Sequence, residues 1–288
     1  MATSSTRTDR WKALDFGPPP TDGAEPEHSV LLDLVSDDRV AIVTLNRPHA
    51  DNAITTEMGA RLTETIESLA VRTAVRAVIL TGAGERAFSV GSDLRQRHNM
   101  TKEDWLRQRQ DFDRTLYTVR ELRKPLMAAV NGTAYGGGSE LAQSCDFIIA
   151  SDNATFGQPE AMIGLSAGGG SPVFLPRLLP PGKAMQMLMT GDPITAQEAY
   201  RLGMVNEIHP QPALMTAARA IADKIAGNSP TAVQAVKRAV HLGAGQPTEQ
   251  AIAIMMDAHW RSAVHPDRAE GIGAFNEDRD PNFQDTDY

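Results

Sequence analysis

The chain has 288 residues, of which 41% are apolar and 22% charged, the balance of a water-soluble globular protein with one large core and room for a smaller appendage. Its formal net charge of −8 argues against a general polyanion-binding surface, and so against nucleic acid as a partner. Cys145 is the only cysteine, which excludes an internal disulfide framework and suits a reducing compartment. No apolar run is long enough to span a bilayer, and the Ser/Thr-rich first ten residues lack the apolar centre of a secretion signal. A cytoplasmic protein that does not engage a membrane is therefore expected.

Residues 1–28 carry Pro18, Pro19, Pro20 and Pro26 with little apolar periodicity, and read as a disordered or loosely attached lead. Two β-branched runs, Val30–Val35 and Val40–Leu45, are separated by Ser36-Asp37-Asp38 and predict a hairpin. A polar loop from Asn46-Arg47-Pro48 to Ala53 follows. A helix is then predicted from about Thr55, with Met58, Leu62, Ile66 and Leu69 on one face. Residues 77–80 form the next strand, followed by Thr81-Gly82-Ala83-Gly84. That turn resembles half of a dinucleotide fingerprint, but the helix such a fingerprint requires does not start there, so a plain turn is expected.

Gly91-Ser92-Asp93-Leu94 reads as a glycine turn into a helix, capped by Ser92 or Asp93. A longer helix runs from about Thr101 and ends before Pro125, with Trp105, Phe112, Leu116 and Val119 inward. A short buried strand, Leu126–Val130, leads into Asn131-Gly132-Thr133-Ala134-Tyr135-Gly136-Gly137-Gly138-Ser139-Glu140, with a helix expected from about Leu141. Glycines at a strand-to-helix junction bring bare N–H groups close to a ligand, and here a carboxylate stands within one turn of them.

Another apolar run covers residues 147–150, and Phe156-Gly157-Gln158-Pro159-Glu160 puts a second glutamate in the first turn of a helix, behind a proline. Beyond it the pattern is mostly helical: Thr195-Ala196-Gln197-Glu198 is a capping box, and Ser229-Pro230 supplies a cap and a first-turn proline. Apolar stripes at Leu214, Ala218, Ile221 and Ile225, and at Val233, Val236 and Val240, are read as packing surfaces for the core or for another subunit. Short strands alternating with amphipathic helices predict an α/β core over residues 29–200 and a helical region over 201–288.

Two glutamates at helix starts after glycine turns can converge on one cavity and divide acid and base work between them. Two other chemistries fit the sequence poorly. Ser139 lies in a glycine-rich stretch but lacks the second glycine of a nucleophile elbow, and no histidine or cysteine pair has metal-ligand spacing.

Taken together, Asn46-Arg47-Pro48 with Asn52-Ala53, the 87–94 segment, the glycine turn with Glu140 and Phe156-Gly157-Gln158-Pro159-Glu160 resemble the crotonase superfamily, most of all the enoyl-CoA hydratases. Gly164 with Gly168-Gly169-Gly170, and Thr190-Gly191-Asp192, extend the likeness to roughly residues 30–280. The resemblance implies a spiral of ββα units with a helical C-terminal trimerisation region, assembled as a homotrimer or as a hexamer of two trimers. It implies that the main-chain N–H groups of Ser92 and Gly137 form an oxyanion hole for an acyl-CoA thioester, with glycine at 137 for close approach. Glu140 would activate water, and Glu160 would protonate Cα. Ser92, Asp93, Leu94, Gly137 and Gly168 would contact the substrate; His49, Ala50 and Ala53 would lie along the coenzyme, with His49 where many relatives carry lysine. Coenzyme A enters as part of the substrate, and no metal or other cofactor is implied. The same family contains double-bond isomerases, which need only one carboxylate; retention of both glutamates favours the hydratase. A thioester-binding protein with little catalysis is the alternative from another class.

Overall fold

In a computed structural model the described residues are 28–285, so the expected lead over residues 1–28 lies, but for His28, outside them. The chain folds by sending successive short strands into two different sheets. Strands β1 (Val30–Val35), β2 (Val40–Leu45), β3 (Ala77–Gly82), β5 (Leu126–Val130), β7 (Phe147–Ser151) and β10 (Glu207–His209) form a six-stranded sheet in the order β1-β2-β3-β5-β7-β10. Strands β4 (Ala87–Ser89), β6 (Thr133–Tyr135), β8 (Thr155–Gly157) and β9 (Ile194–Thr195) form a four-stranded sheet in that order. In each of the pairs β3–β4, β5–β6 and β7–β8 the first strand joins the large sheet and the second the small one. This repeated ββ step, with helices between, makes the spiral.

The apolar alternation of the strands explains the layering. On β2, Val40 and Ile42 face one way and Ala41, Val43 and Leu45 the other; on β3, Ala77 and Ile79 oppose Val78 and Leu80. Both faces are covered, which is why these strands read as continuous apolar runs. One face packs on α1 (Thr56–Ala70), where Met58, Leu62, Ile66 and Leu69 are buried as the spacing predicts. Thr55 caps α1 by accepting the Met58 N–H at 3.2 Å. The short α2 (Leu94–His98) and the long α3 (Lys102–Glu121) follow. Phe112 of α3 packs against Gly59, and the Thr63 and Thr115 hydroxyls meet at 2.9 Å.

The glycine turn enters α4 (Gly137–Ser144), which starts four residues before the position expected from Leu141. A 3-10 turn, Pro159–Ile163, then leads to α5 (Ser171–Leu178), α6 (Pro181–Thr190) and α7 (Ala196–Leu202). Thr195 caps α7 through the Glu198 N–H at 3.2 Å, while the Glu198 carboxylate pairs with Lys183 at 2.8 Å.

The sheet does not stop at residue 200. Strand β10 pairs in parallel with β7, and Leu214, Ala218 and Ala222 of α8 (Leu214–Ala226) cover the other face of the large sheet. The helices that leave this core are α9 (Pro230–Gly243), α10 (Thr248–Ala263) and α11 (Pro266–Asn276). On α9 the buried face is Thr231, Gln234 and Ala235, whereas Val236 and Val240, expected in a packing stripe, stand 65% and 63% exposed. Among the described residues no helix is long and apolar enough to cross a membrane.

Candidate active site

Strand pairing in the small sheet decides which loops meet. β4 runs parallel to β6, and β6 parallel to β8, so the segments that leave them emerge at one edge. Those segments carry Gly91-Ser92 after β4, Gly136-Gly137 after β6, and Gln158-Pro159-Glu160 after β8. Glu140 follows one turn into α4. A cavity of about 270 Å³ receives all of them: Ser92, Gly137, Glu140, Glu160 and Gly168 line its wall. A smaller adjoining cavity of about 80 Å³ is lined by Ser92, Leu94, Gly137 and Glu160 among others.

The Gly91-Ser92 turn is fixed from behind. Ile54 donates to the Gly91 carbonyl at 2.7 Å, and the Asp93 N–H donates to the Ile54 carbonyl at 2.9 Å. These two bonds form a parallel bridge and leave the Ser92 N–H outside it. The Gly137 N–H belongs to the first residue of α4, where a helix has no internal acceptor. Among the described residues neither N–H has a hydrogen-bond partner. Gly91 has φ +85°, and a Cβ there would stand 2.7 Å from the Gly137 nitrogen, so glycine is required at this approach. At Gly137 itself, expected to need glycine for close approach, a Cβ would make only ordinary contact, 3.6 Å from Gly91 Cα and 3.9 Å from Ser92 N. The tight positions are its neighbours, Gly91 and Gly138; a side chain on 137 would instead fill the space between the two N–H groups.

Glu140 is 3% exposed. Its Oε1 accepts the Gly169 N–H at 2.6 Å and the Ser171 N–H at 3.3 Å, so the carboxylate sits at the N-terminus of α5. Burial pushes its pKa up, and the two N–H bonds and Arg109 oppose that rise. Glu160, in the first turn after Pro159, rests its carboxylate against Gly136, where a Cβ would lie 3.1 Å from Oε1. Burial, then the charge of Glu140, raises Glu160 to about 7. With its amide nitrogen turned toward Glu160, the Gln158 side chain lies 3.1 Å from both carboxylate oxygens, while its oxygen faces Ser171 Oγ and Gln143 Nε2. Two carboxyls thus share one cavity in different settings, one held by main-chain donors and one facing the Gln158 amide and the charge of its neighbour.

The other expected residues divide. Leu94 lines only the smaller cavity and is 46% exposed. The Gly168 carbonyl accepts from Arg109 Nη2 at 2.8 Å. Asp93, expected to touch the substrate, is turned away from both cavities: it caps α2 through the Arg95 and Gln96 N–H groups and pairs with Arg47 at 3.1 Å. His49, Ala50 and Ala53 also lie outside the cavity walls, on a loop pinned by Asn52, which donates to the Ala83 and Ala87 carbonyls at 3.0 and 2.8 Å. Ser139, weighed as a nucleophile, is buried at 1% exposure and accepts a hydrogen bond from Gln143.

The 94–125 segment sets a pocket wall, as the sequence leads one to expect, but the individual residues that α2 and α3 supply to it were not singled out there. Arg97, Trp105, Arg109, Phe112 and Leu116 face the larger cavity. The signal was present: residues 105, 109, 112 and 116 follow helical spacing, so Arg109 shares a face with two aromatic rings. Helices α8 to α11 contribute nothing to either cavity wall.

Fold and site together define a class, and comparison with known proteins agrees. The enoyl-CoA hydratase/isomerase family matches residues 36–286, and the chain belongs to that family, within the crotonase superfamily. It is 35% identical to a crotonyl-CoA hydratase of Syntrophomonas wolfei over 250 residues, covering 87% of this chain and 96% of the relative. A short-chain-enoyl-CoA hydratase of Clostridium acetobutylicum is 38% identical over 246 residues, covering 85% and 94%. The crystal structure of an enoyl-CoA hydratase from Bacillus anthracis superposes with a TM-score of 0.87 at 34% identity, covering 90% of this chain and all of the other.

Proposed function

We propose that the protein catalyses reversible hydration of a trans-2-enoyl-CoA to a 3-hydroxyacyl-CoA. One observation carries the reading: a buried glutamate, Glu140, and a half-buried one, Glu160, share a cavity with two main-chain N–H groups that have no partner among the described residues. In this reading the thioester oxygen accepts from the Ser92 and Gly137 N–H groups. Glu140, kept ionisable by the Gly169 and Ser171 N–H groups, takes a proton from water as the water oxygen attacks Cβ. Negative charge gathers on the thioester oxygen, where fixed donors stabilise the enolate more than the ground state. Glu160, near-neutral in its setting, delivers a proton to Cα. Proton exchange between the two carboxyls and water then restores the starting state.

The reaction balances with water and two carboxyl groups, so no metal or redox cofactor enters it, and coenzyme A arrives with the substrate. The 47–53 loop, with His49, Ala50 and Ala53, would flank the coenzyme. Assembly of identical subunits fits the exposed apolar side chains of the C-terminal helices: Trp260 is 62% exposed, Val240 63% and Phe275 87%. A homotrimer or a hexamer is the proposed state, and the acidic composition with one cysteine supports a cytoplasmic location.

The test is loss of conjugated-thioester absorbance when purified protein meets crotonyl-CoA. Glu140→Gln and Glu160→Gln should each suppress that loss by at least about a hundredfold, the scale of general acid–base catalysis. Unchanged turnover in both variants refutes the mechanism. Product analysis with a 3-enoyl-CoA separates a hydratase from an isomerase.

A further inference from the structure

The cavity that holds the two glutamates is also lined by two arginines, Arg97 and Arg109. A partly buried arginine is costly to desolvate unless an acceptor meets it. Arg109 is met: it pairs with Asp113 and donates to the Gly168 carbonyl. Arg97 is not. Its Nε donates to the neutral Gln108 oxygen at 2.8 Å, and its guanidinium stands over the Phe112 ring, 5.5 Å from the centroid. Among the described residues no carboxylate lies within ion-pair distance of it, and its terminal nitrogens make no hydrogen bond, so they have donors to spare. Arg97 lines both cavities, alongside Ser92, Gly137 and Glu160. Burial and the like charge of Arg109 press its pKa down, and the more distant charges of Glu160 and Glu140 offset this only in part, so an anion directly beside it would be stabilised.

What anion could reach it follows from the thioester's own geometry. If the thioester oxygen sits at Ser92 and Gly137, the phosphates of coenzyme A lie a whole pantetheine arm away. A negative group of the ligand that meets Arg97 would then be carried by the acyl chain. A planar guanidinium with two free nitrogens matches a carboxylate in two parallel hydrogen bonds.

We propose that the preferred substrates are mono-CoA thioesters of unsaturated dicarboxylic acids, whose distal carboxylate is received by Arg97. The proposal rests on the hydratase reading above and narrows its substrate class. The competing role for Arg97 is to offset the charges of Glu140 and Glu160. That role would slow every substrate alike, whereas carboxylate recognition changes the ratio between substrates.

The experiment compares pent-2-enedioyl-CoA with pent-2-enoyl-CoA, which differ by a carboxylate in place of a methyl group. Wild-type kcat/KM should favour the diacid thioester by at least about tenfold, since a site built for a polar group rejects the analogue that lacks it. Arg97→Met should cut that ratio by about tenfold or more, and Arg97→Lys should retain part of it; thermal melts confirm that each variant folds. A wild-type ratio below ten, or a ratio that survives Arg97→Met, overturns the proposal. Calorimetry with the saturated glutaryl-CoA and pentanoyl-CoA reads the same preference without turnover. Tighter, Arg97-dependent binding of glutaryl-CoA with no hydration of either enoyl thioester would sink the hydratase reading and keep the carboxylate site. Equal binding of the two, with both enoyl thioesters hydrated, would do the reverse.

Discussion

Replacing Glu160 with glutamine should make the protein more stable, and only at the alkaline end of its range. Burial and the neighbouring Glu140 raise the Glu160 carboxyl from 4.5 to about 7. A carboxyl raised in the folded state favours folding fully below its unfolded pKa. That contribution is lost as pH climbs through the folded pKa, because the native protein must then hold a charge that the unfolded chain carries more easily. The window therefore runs from about 4.5 to about 7. Each unit of separation corresponds to about 1.36 kcal/mol, which sets a ceiling of about 3–4 kcal/mol on the penalty above neutral pH. Water reaching the partly exposed carboxylate, and the charge of Arg97, bring the observed figure below that ceiling. Glutamine has the same shape and cannot ionise, so the variant escapes the penalty. At about 2–4 °C per kcal/mol, the melting temperature of Glu160→Gln should pull ahead of wild type by several degrees between pH 4.5 and pH 8. Thermal melts across that range measure the gap. A gap that stays constant, or narrows as pH rises, refutes the electrostatic account of this cavity.

The same group should appear in kinetics as a basic limb in wild-type kcat/KM, falling about tenfold per pH unit above a midpoint of about 7, because the protonated form delivers the Cα proton. Gly91→Ala adds a Cβ 2.7 Å from the Gly137 nitrogen at φ +85°. Steady-state assays should find kcat reduced by about 10²–10³, the price of one oxyanion donor. Asp93→Ala removes the cap of α2 and the partner of Arg47. It should destabilise the protein by about 1 kcal/mol in denaturant titrations while leaving most of kcat intact, since its carboxylate faces neither cavity.

Local pattern carried much of the fold. The apolar runs predict β1, β2 and β5 with the bounds they have in the structure: β2 and β5 are buried in a sheet covered on both faces, and β1, at the sheet edge, alternates half-buried Val30, Leu32 and Leu34 with exposed Leu31 and Asp33. The strands β6 and β8 were hidden, being three residues each beside glycine turns, with no room for alternation. They exist because β4, β6 and β8 pair with one another across long stretches of chain. The early start of α4 was hidden for a related reason. Glycine is a poor helix former, yet a Cβ on Gly138 would overlap the Ser89 carbonyl, so tertiary contact overrides propensity there.

The two glutamates and the two glycine turns were legible because their chemistry and their turn signals are local. Arg97 was not, since only the folded path of α2 brings it to the cavity wall, whereas Arg109 could have been read from its helical spacing with Trp105 and Phe112. Asp93 misled in the opposite sense: it stands beside Ser92 in sequence, but capping α2 and pairing with Arg47 claim its side chain.

The central claim is that a thioester oxygen is gripped by the Ser92 and Gly137 main-chain amides while Glu140 and Glu160 flank the reacting carbons. A crystal structure with the unreactive analogue acetoacetyl-CoA tests it directly. The account predicts the thioester oxygen about 2.7–3.1 Å from both nitrogens, with both carboxyls beside Cα and Cβ. A thioester oxygen bound elsewhere, or a ligand that touches only one of the two glutamates, would contradict it.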